Sequence, residues 1–181
     1  MTDILNNNDV LDAQKKEFIE GPFCYETNML IYSFFKFLQL QIIINENEKN
    51  VSLETFILHG RILYEFYFFN NRYKDEDDAK AFDFIDINKL NNIRNSLNLS
   101  KKDFEYKFKS NKQLAHLTYT RLNYDNTEEK NWKIEEIMKE FVYISKFFIN
   151  ELSDDYKGAN IRKLQSLLDN SYFLNEFLKD S

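Results

Sequence analysis

Cysteine, proline and glycine are all scarce in this 181-residue chain, which holds one Cys, one Pro and three Gly. A single Cys excludes a disulfide framework and any cysteine-built zinc or iron–sulfur cluster. Three glycines are too few for a phosphate loop or a dinucleotide fingerprint. So little Gly and Pro also leaves few of the tight turns that an all-β chain needs every 8–12 residues or so. Charge of one sign is not in excess either. Lys and Arg number 24 against 30 Asp and Glu, a net charge of -6. That balance argues against a general binder of nucleic acid or acidic membrane, while leaving room for a local basic patch.

Hydrophobic residues make up 43% of the chain and aromatics 17%, enough to build a core and too much for a disordered chain. The length suits one domain. The first residues, Met1 to Asp9, lack the basic start and apolar run of a signal peptide. The most apolar stretch, Met29 to Ile44, is interrupted by Lys36, Gln39 and Gln41 and falls short of the ~20 residues that cross a bilayer. Cys24 sits in an aromatic run and reads as a small buried hydrophobe in a reducing compartment. We therefore expect a cytoplasmic protein that makes no membrane contact. The bias toward Asn, Lys, Ile, Phe and Tyr fits an AT-rich genome.

The hydrophobic spacing is helical throughout. Asp9 to Glu20 forms a first helix that Gly21-Pro22 should end. Pro22 to Asn45 forms a long second helix, with Phe23, Leu30, Phe34, Phe37, Leu38 and Ile42 on its stripe. After a polar break at Asn45–Asn50, Ser52 caps a second long helix, Leu53 to Asn70. So short a connection makes these two an antiparallel pair, and both are apolar nearly all round. Asn71 to Asp78 is a charged loop, and Ala79 to Asn98 a weak helix with loops. Ser100 caps a segment reaching Leu122, and a strong helix follows from Glu128 to Leu152. Residues 153–160 link to a last amphipathic helix, Ile161 to Leu178, which can dock or exchange with a neighbour. The expected fold is thus all-α, a single domain over residues 1–181, a helical bundle built on two long central antiparallel helices.

Two histidines carry most of the chemical interest. His59 lies mid-way along the second long helix, where Glu54, Leu58, Arg61 and Glu65 share a face. Arg61 and Glu65 stand four apart and can pair, with Glu54 a turn beyond. His59, Arg61 and Glu65 are therefore a candidate polar cluster, either a pocket inside the bundle or an ordinary ion pair where the helix meets solvent. His116 lies in a basic stretch. Lys101, Lys102, Lys107, Lys109 and Lys112 outweigh Asp103 and Glu105 there, with Tyr106, Phe108 and Tyr119 interleaved. A neutral imidazole beside cations can act as general acid or base at a phosphodiester. That makes His116 a candidate catalytic residue and Lys112 and Arg121 candidate phosphate or anion ligands. The alternative is a hydrogen-bonded His beside a solvated basic face.

No metal site is expected, because neither histidine has a second ligand at i+3 or i+4 and the acidic run Asp75–Asp78 lacks a calcium-loop spacing. No cofactor is expected either.

The segments Leu53–Tyr67 and Lys112–Arg121 resemble a family of uncharacterised bacterial all-helical proteins with a His-x-Arg on a buried helix and a later Ala-His-Leu-Thr. His59, Arg61, His116, Thr118 and Arg121 match that pattern over roughly Asn28 to Phe141. More loosely the chain is similar to HEPN domains, in which an Arg and a His four to six residues later form a metal-independent RNase site across a homodimer. Asn111 stands five residues before His116 here, so the phosphate would fall to Lys112 or Arg121. Two functions follow as expectations. One is a non-enzymatic interaction or oligomerising module, a homodimer; the other is a HEPN-like RNA-binding protein or RNase using His116.

Overall fold

The first helix does not stop at Gly21-Pro22. In the computed structural model, which describes residues 7–41, 45–69, 78–101 and 132–170, α1 (Asn7–Phe18) runs through a π-helical turn, Ile19–Phe23, straight into α2 (Cys24–Leu40). Phe18, Phe23 and Cys24 all keep right-handed helical backbone angles. Pro22 removes one N–H and its ring crowds the carbonyl four residues back. One extra residue in the turn relieves that crowding without leaving the helical basin, so a residue that normally breaks a helix here only widens it. The widened turn carries Ile19 and Phe23 into the core, where both are buried.

α3 (Glu46–Phe68) also starts earlier than the sequence suggests. The side chain of Asn45 accepts the Glu48 N–H at 3.3 Å and caps it, while Glu46 and Glu48 complement the dipole. The polar stretch read as a break forms the solvated first turn, and Ser52 is a buried residue inside the helix rather than its cap. α2 and α3 pack on each other along their lengths. Their contacts run in opposite chain order: Lys49 over the Phe37 ring at 5.9 Å, Phe56 by Phe34 at 5.9 Å, His59 on Glu26 at 2.6 Å, and Phe66 by Phe23 at 5.5 Å. The pair is antiparallel.

The remaining elements close over this hairpin. A 3-10 turn at Ala81–Asp83 leads to α4 (Ile87–Ser96), capped by the Asp86 carboxylate, which accepts the Asn88 and Lys89 N–H groups at 2.8 and 3.1 Å. α5 is the four-residue Asn98–Lys101, so Ser100 lies within a helix and does not cap one. α6 (Ile134–Glu151) begins six residues later than expected, since Trp132 and Lys133 are not helical. A 3-10 turn at Asp154–Tyr156 then precedes α7 (Ala159–Asn170). The described residues contain helices and no strand, so the fold is all-α.

Aromatic rings fill the centre. Phe148 of α6 lies 5.1 Å from Phe23, 5.2 Å from Phe66 and 5.8 Å from Tyr67, mostly in tilted or edge-on arrangements. The Tyr67 hydroxyl donates to Ser145 at 3.0 Å, which satisfies a fully buried phenol. Buried Arg94 donates Nε–H to the Tyr67 carbonyl and Nη1–H to Asn91 at 2.9 Å. Burial lowers its guanidinium to about 10, still charged at neutral pH.

Two helices are capped from a distance. Glu140 of α6 accepts the N–H groups of Asn98 and Leu99 at 2.9 and 2.6 Å, at the start of α5. Glu20, in the π turn, accepts the N–H groups of Asn160 and Ile161 at 2.9 and 3.1 Å, at the start of α7. Gly158 is the residue before that helix and supplies no side-chain acceptor. A Cβ there would lie 2.5 Å from the Glu20 carboxyl carbon, so glycine leaves the room that the cap occupies. No described residue has a positive φ, so Ala is not strained by its backbone at position 158. Glu20→Ala should therefore lower stability by about 1 kcal/mol, and Gly158→Ala by a similar amount through displacement of the carboxylate. In the Glu20→Ala background Gly158→Ala should instead gain about 0.5 kcal/mol. Urea melts of the four proteins give the cycle, and additive losses would reject the steric link.

Candidate functional site

His59 is the one candidate histidine within the described residues. The second candidate group, His116, Lys112 and Arg121, lies outside them, as do Asp75 and its neighbours up to Asp77. His59 does not join Arg61 and Glu65. It turns from α3 toward α2, where Nδ1 and Glu26 Oε2 are 2.6 Å apart, with both side chains largely buried. Nδ1–H donates to the carboxylate. The edge of the Tyr25 ring meets the imidazole at 5.9 Å between centroids.

Arg61 lies two residues on, about 200° around the helix. Its Nε–H donates to Glu65 at 3.2 Å, and both side chains are one-third exposed. Glu54 is exposed. The expected cluster thus divides into an inter-helix His–Glu pair and a solvent-facing ion pair, because the 3.6-residue period puts i and i+2 on opposite sides. Glu26, the partner that sequence reasoning missed, is 33 residues from His59, and only the hairpin register brings them together.

The chemistry open to this arrangement is narrow. Among the described residues no hydroxyl or thiol hydrogen-bonds to the His59 imidazole. Thr27 and Ser33, both buried on α2, donate to carbonyls of Phe23 and Met29 at 2.9 and 2.7 Å. Cys24 is buried, and loss of solvation, with the Glu20 carboxylate adding to it, pushes its thiol up to about 12. It is a protonated thiol at neutral pH and no nucleophile. No three His, Cys, Asp or Glu side chains among the described residues gather to hold a metal. A groove of about 490 Å³ opens between α2 and α7, lined by Cys24, Tyr25, Asn28, Asn160, Lys163 and Leu167 among others.

What surrounds the His59–Glu26 pair is apolar and exposed. Tyr25 and Tyr32 stand on one face of α2, two turns apart. On α3, Val51, Leu58 and Ile62 stand together, with Thr55 between them. At about 100° per residue, Tyr25 is displaced from Glu26, and Ile62 from His59, in the same rotational sense. In an antiparallel pair the same sense leads to the same side. The two stripes therefore flank one seam, which His59 and Glu26 close. Nine large hydrophobic side chains are exposed among the described residues, and these five, at 41% to 62% exposure, are all on this face. The apolar girth read from the sequence of α3 is real, but only part of it is core.

No protein-family model, curated protein or solved structure matches this chain. Among the described residues no helix is long and apolar enough to cross a membrane.

Two measurements check this geometry. Iodoacetamide at about pH 8 should alkylate Cys24 about a thousandfold more slowly in the native protein than in urea, since a rise of the thiol to about 12 removes that share of the thiolate. Comparable rates would place the thiol in solvent. His59→Ala and Glu26→Ala should each cost about 1–2 kcal/mol, with a coupling of at least about 1 kcal/mol in the double mutant. Independent, additive losses would dissolve the pair.

Proposed function

We propose that this protein is a non-enzymatic interaction module of the bacterial cytoplasm that docks protein on the α2–α3 face. The observation that carries the reading is the clustering of Tyr25, Tyr32, Val51, Leu58 and Ile62 on one side of the hairpin. Exposed apolar side chains scattered singly are ordinary, whereas a contiguous patch rimmed by charge is the mark of a binding surface. The rim is present in Glu54, Arg61 and Glu65 on α3 and Lys36 on α2. Tyrosine suits such a surface, since its ring buries area at low entropic cost and its hydroxyl stays wet. His59 and Glu26 fit the reading as the tie that fixes the two helices beneath the face. A single buried thiol suits a reducing compartment.

The test is a photo-crosslinking amino acid placed at position 58, with position 87 on α4 as an exposed control. Position 58 should give discrete protein adducts in expressing cells and position 87 none. No adduct at 58, or the same pattern at both, would reject the reading. The HEPN-like alternative, with His116 as catalyst and Lys112 and Arg121 on the phosphate, is separated by incubation of the protein with a mixed RNA pool in EDTA. On the docking reading, wild type and His116→Ala both leave the RNA intact. Cleavage lost in the mutant would make the protein a metal-independent RNase.

A further inference from the structure

We infer that the occupant of this face is a second copy of this chain, with α3 of one copy packed antiparallel on α3 of the other about a two-fold axis. The inference rests on the reading of the α2–α3 face as a protein-docking surface.

The spacing of the exposed stripe is the first argument. Val51, Thr55, Leu58 and Ile62 follow one another at intervals of four, three and four residues, which places them in one row along three turns of α3, the arrangement that packs on a second helix. The stripe points away from the buried arc of α3, which holds Phe56, Leu63 and Tyr67. In an antiparallel pairing, Val51 meets Ile62 of the other copy and Thr55 meets Leu58, which gives two apolar layers and two Thr–Leu layers across the axis, with the Thr55 hydroxyl turned back to the Val51 carbonyl at 2.7 Å.

Charge complementarity is the second argument. The register that forms those layers sets the flanking residue Glu54 opposite Arg61 of the other copy, and by symmetry Arg61 opposite its Glu54. Both side chains sit outside the seam, and both reach solvent in the single chain. A parallel pairing would instead oppose like residues along the seam. The next positions outward, Glu48 and Glu65, are both acidic and bound the seam at four layers.

Area is the third. α3 has 23 residues, and a two-helix face about 34 Å long and about 20 Å wide offers about 700 Å² per copy. A standard stable interface takes about 800 Å² per partner. The tyrosines of α2 border the seam and lie within that width.

Sedimentation equilibrium of the full chain tests the pairing. Wild type should show a concentration-dependent dimer. Leu58→Lys should abolish it. Glu54→Arg and Arg61→Glu should each weaken it about tenfold by opposing like charges twice, and the double exchange should return it to within about threefold of wild type. Urea midpoints of the variants at monomeric dilution show that each is folded. A double exchange that does not rescue overturns the antiparallel register, and a dimer unaffected by Leu58→Lys overturns the face. A wild type that stays monomeric, while crosslinks from position 58 reach a different protein or residues 102–131 of the same chain, overturns the second copy; with a different protein the docking reading survives. No crosslink from position 58 overturns both.

Discussion

A helix that continues through a proline is the constraint on which most of this structure depends. The π turn at Ile19–Phe23 adds one residue to the helical path, and that residue changes what every neighbouring side chain faces. Phe23 enters the aromatic centre against Phe66, Tyr67 and Phe148. Glu20 leaves the core side and reaches the first N–H groups of α7. A regular α-turn would move both by about 100° and could not place both at once. The same local feature thus joins the hydrophobic centre, the hairpin and the C-terminal helix. Its test lies in the Gly158–Glu20 contact, because that is where a small change in the turn meets a fixed backbone.

The centre itself is held by shape more than by charge. Phe148 touches rings from the π turn and α3, and it lies 6.2 Å from Phe84 beyond the 3-10 turn. Each such pair contributes about 0.5–1.5 kcal/mol beyond area, so their value lies in fixing mutual orientation as well as in burial. Tyr67 enters this region bonded to Ser145, and Arg94 bonded to the Tyr67 carbonyl and Asn91. The hydrogen bond between the two long helices, His59 with Glu26, is displaced to the edge of the core, where Glu26 keeps some contact with water. That position limits the desolvation cost that a fully enclosed ion pair would carry.

The helical class was legible because period and composition agree: few glycines, one proline and apolar residues at i, i+3 and i+4 over long windows. Boundaries were less so, and for specific reasons. Pro22 and Gly21 are local stop signals overridden by the packing of Phe23. Asn45 caps α3 by a single side-chain bond, while the more conventional Ser52 is buried inside the helix. The starts of α5 and α7 carry no cap of their own, and the carboxylates that serve them come from Glu140 and Glu20, 42 and 140 residues away. No reading of neighbours along the chain can find those. The His59 pairing failed in the same way. The i+4 rule found Arg61–Glu65 correctly, yet the partner of His59 is on another helix. The pattern centred on His116 falls outside the described residues, so its reading still rests on sequence.

The apolar girth of α3 has two meanings on one helix. Residues packed against α2 and α6 recur at 3.6, the period of a straight helix on a core. Val51, Thr55, Leu58 and Ile62 lie at steps of four, three and four residues, which keeps them in one row on the opposite, exposed side. Glu54 and Arg61 stand on the same flank of that row at a spacing of seven. On the proposed pairing, the outer face of α3 is also an inner face of a dimer. The His59–Glu26 pair lies at the border between the two regimes. It holds α2 and α3 in register beneath the exposed stripe, so that the stripe is presented as a rigid surface. Rigidity lowers the ordering cost of association, which is what a face this small requires.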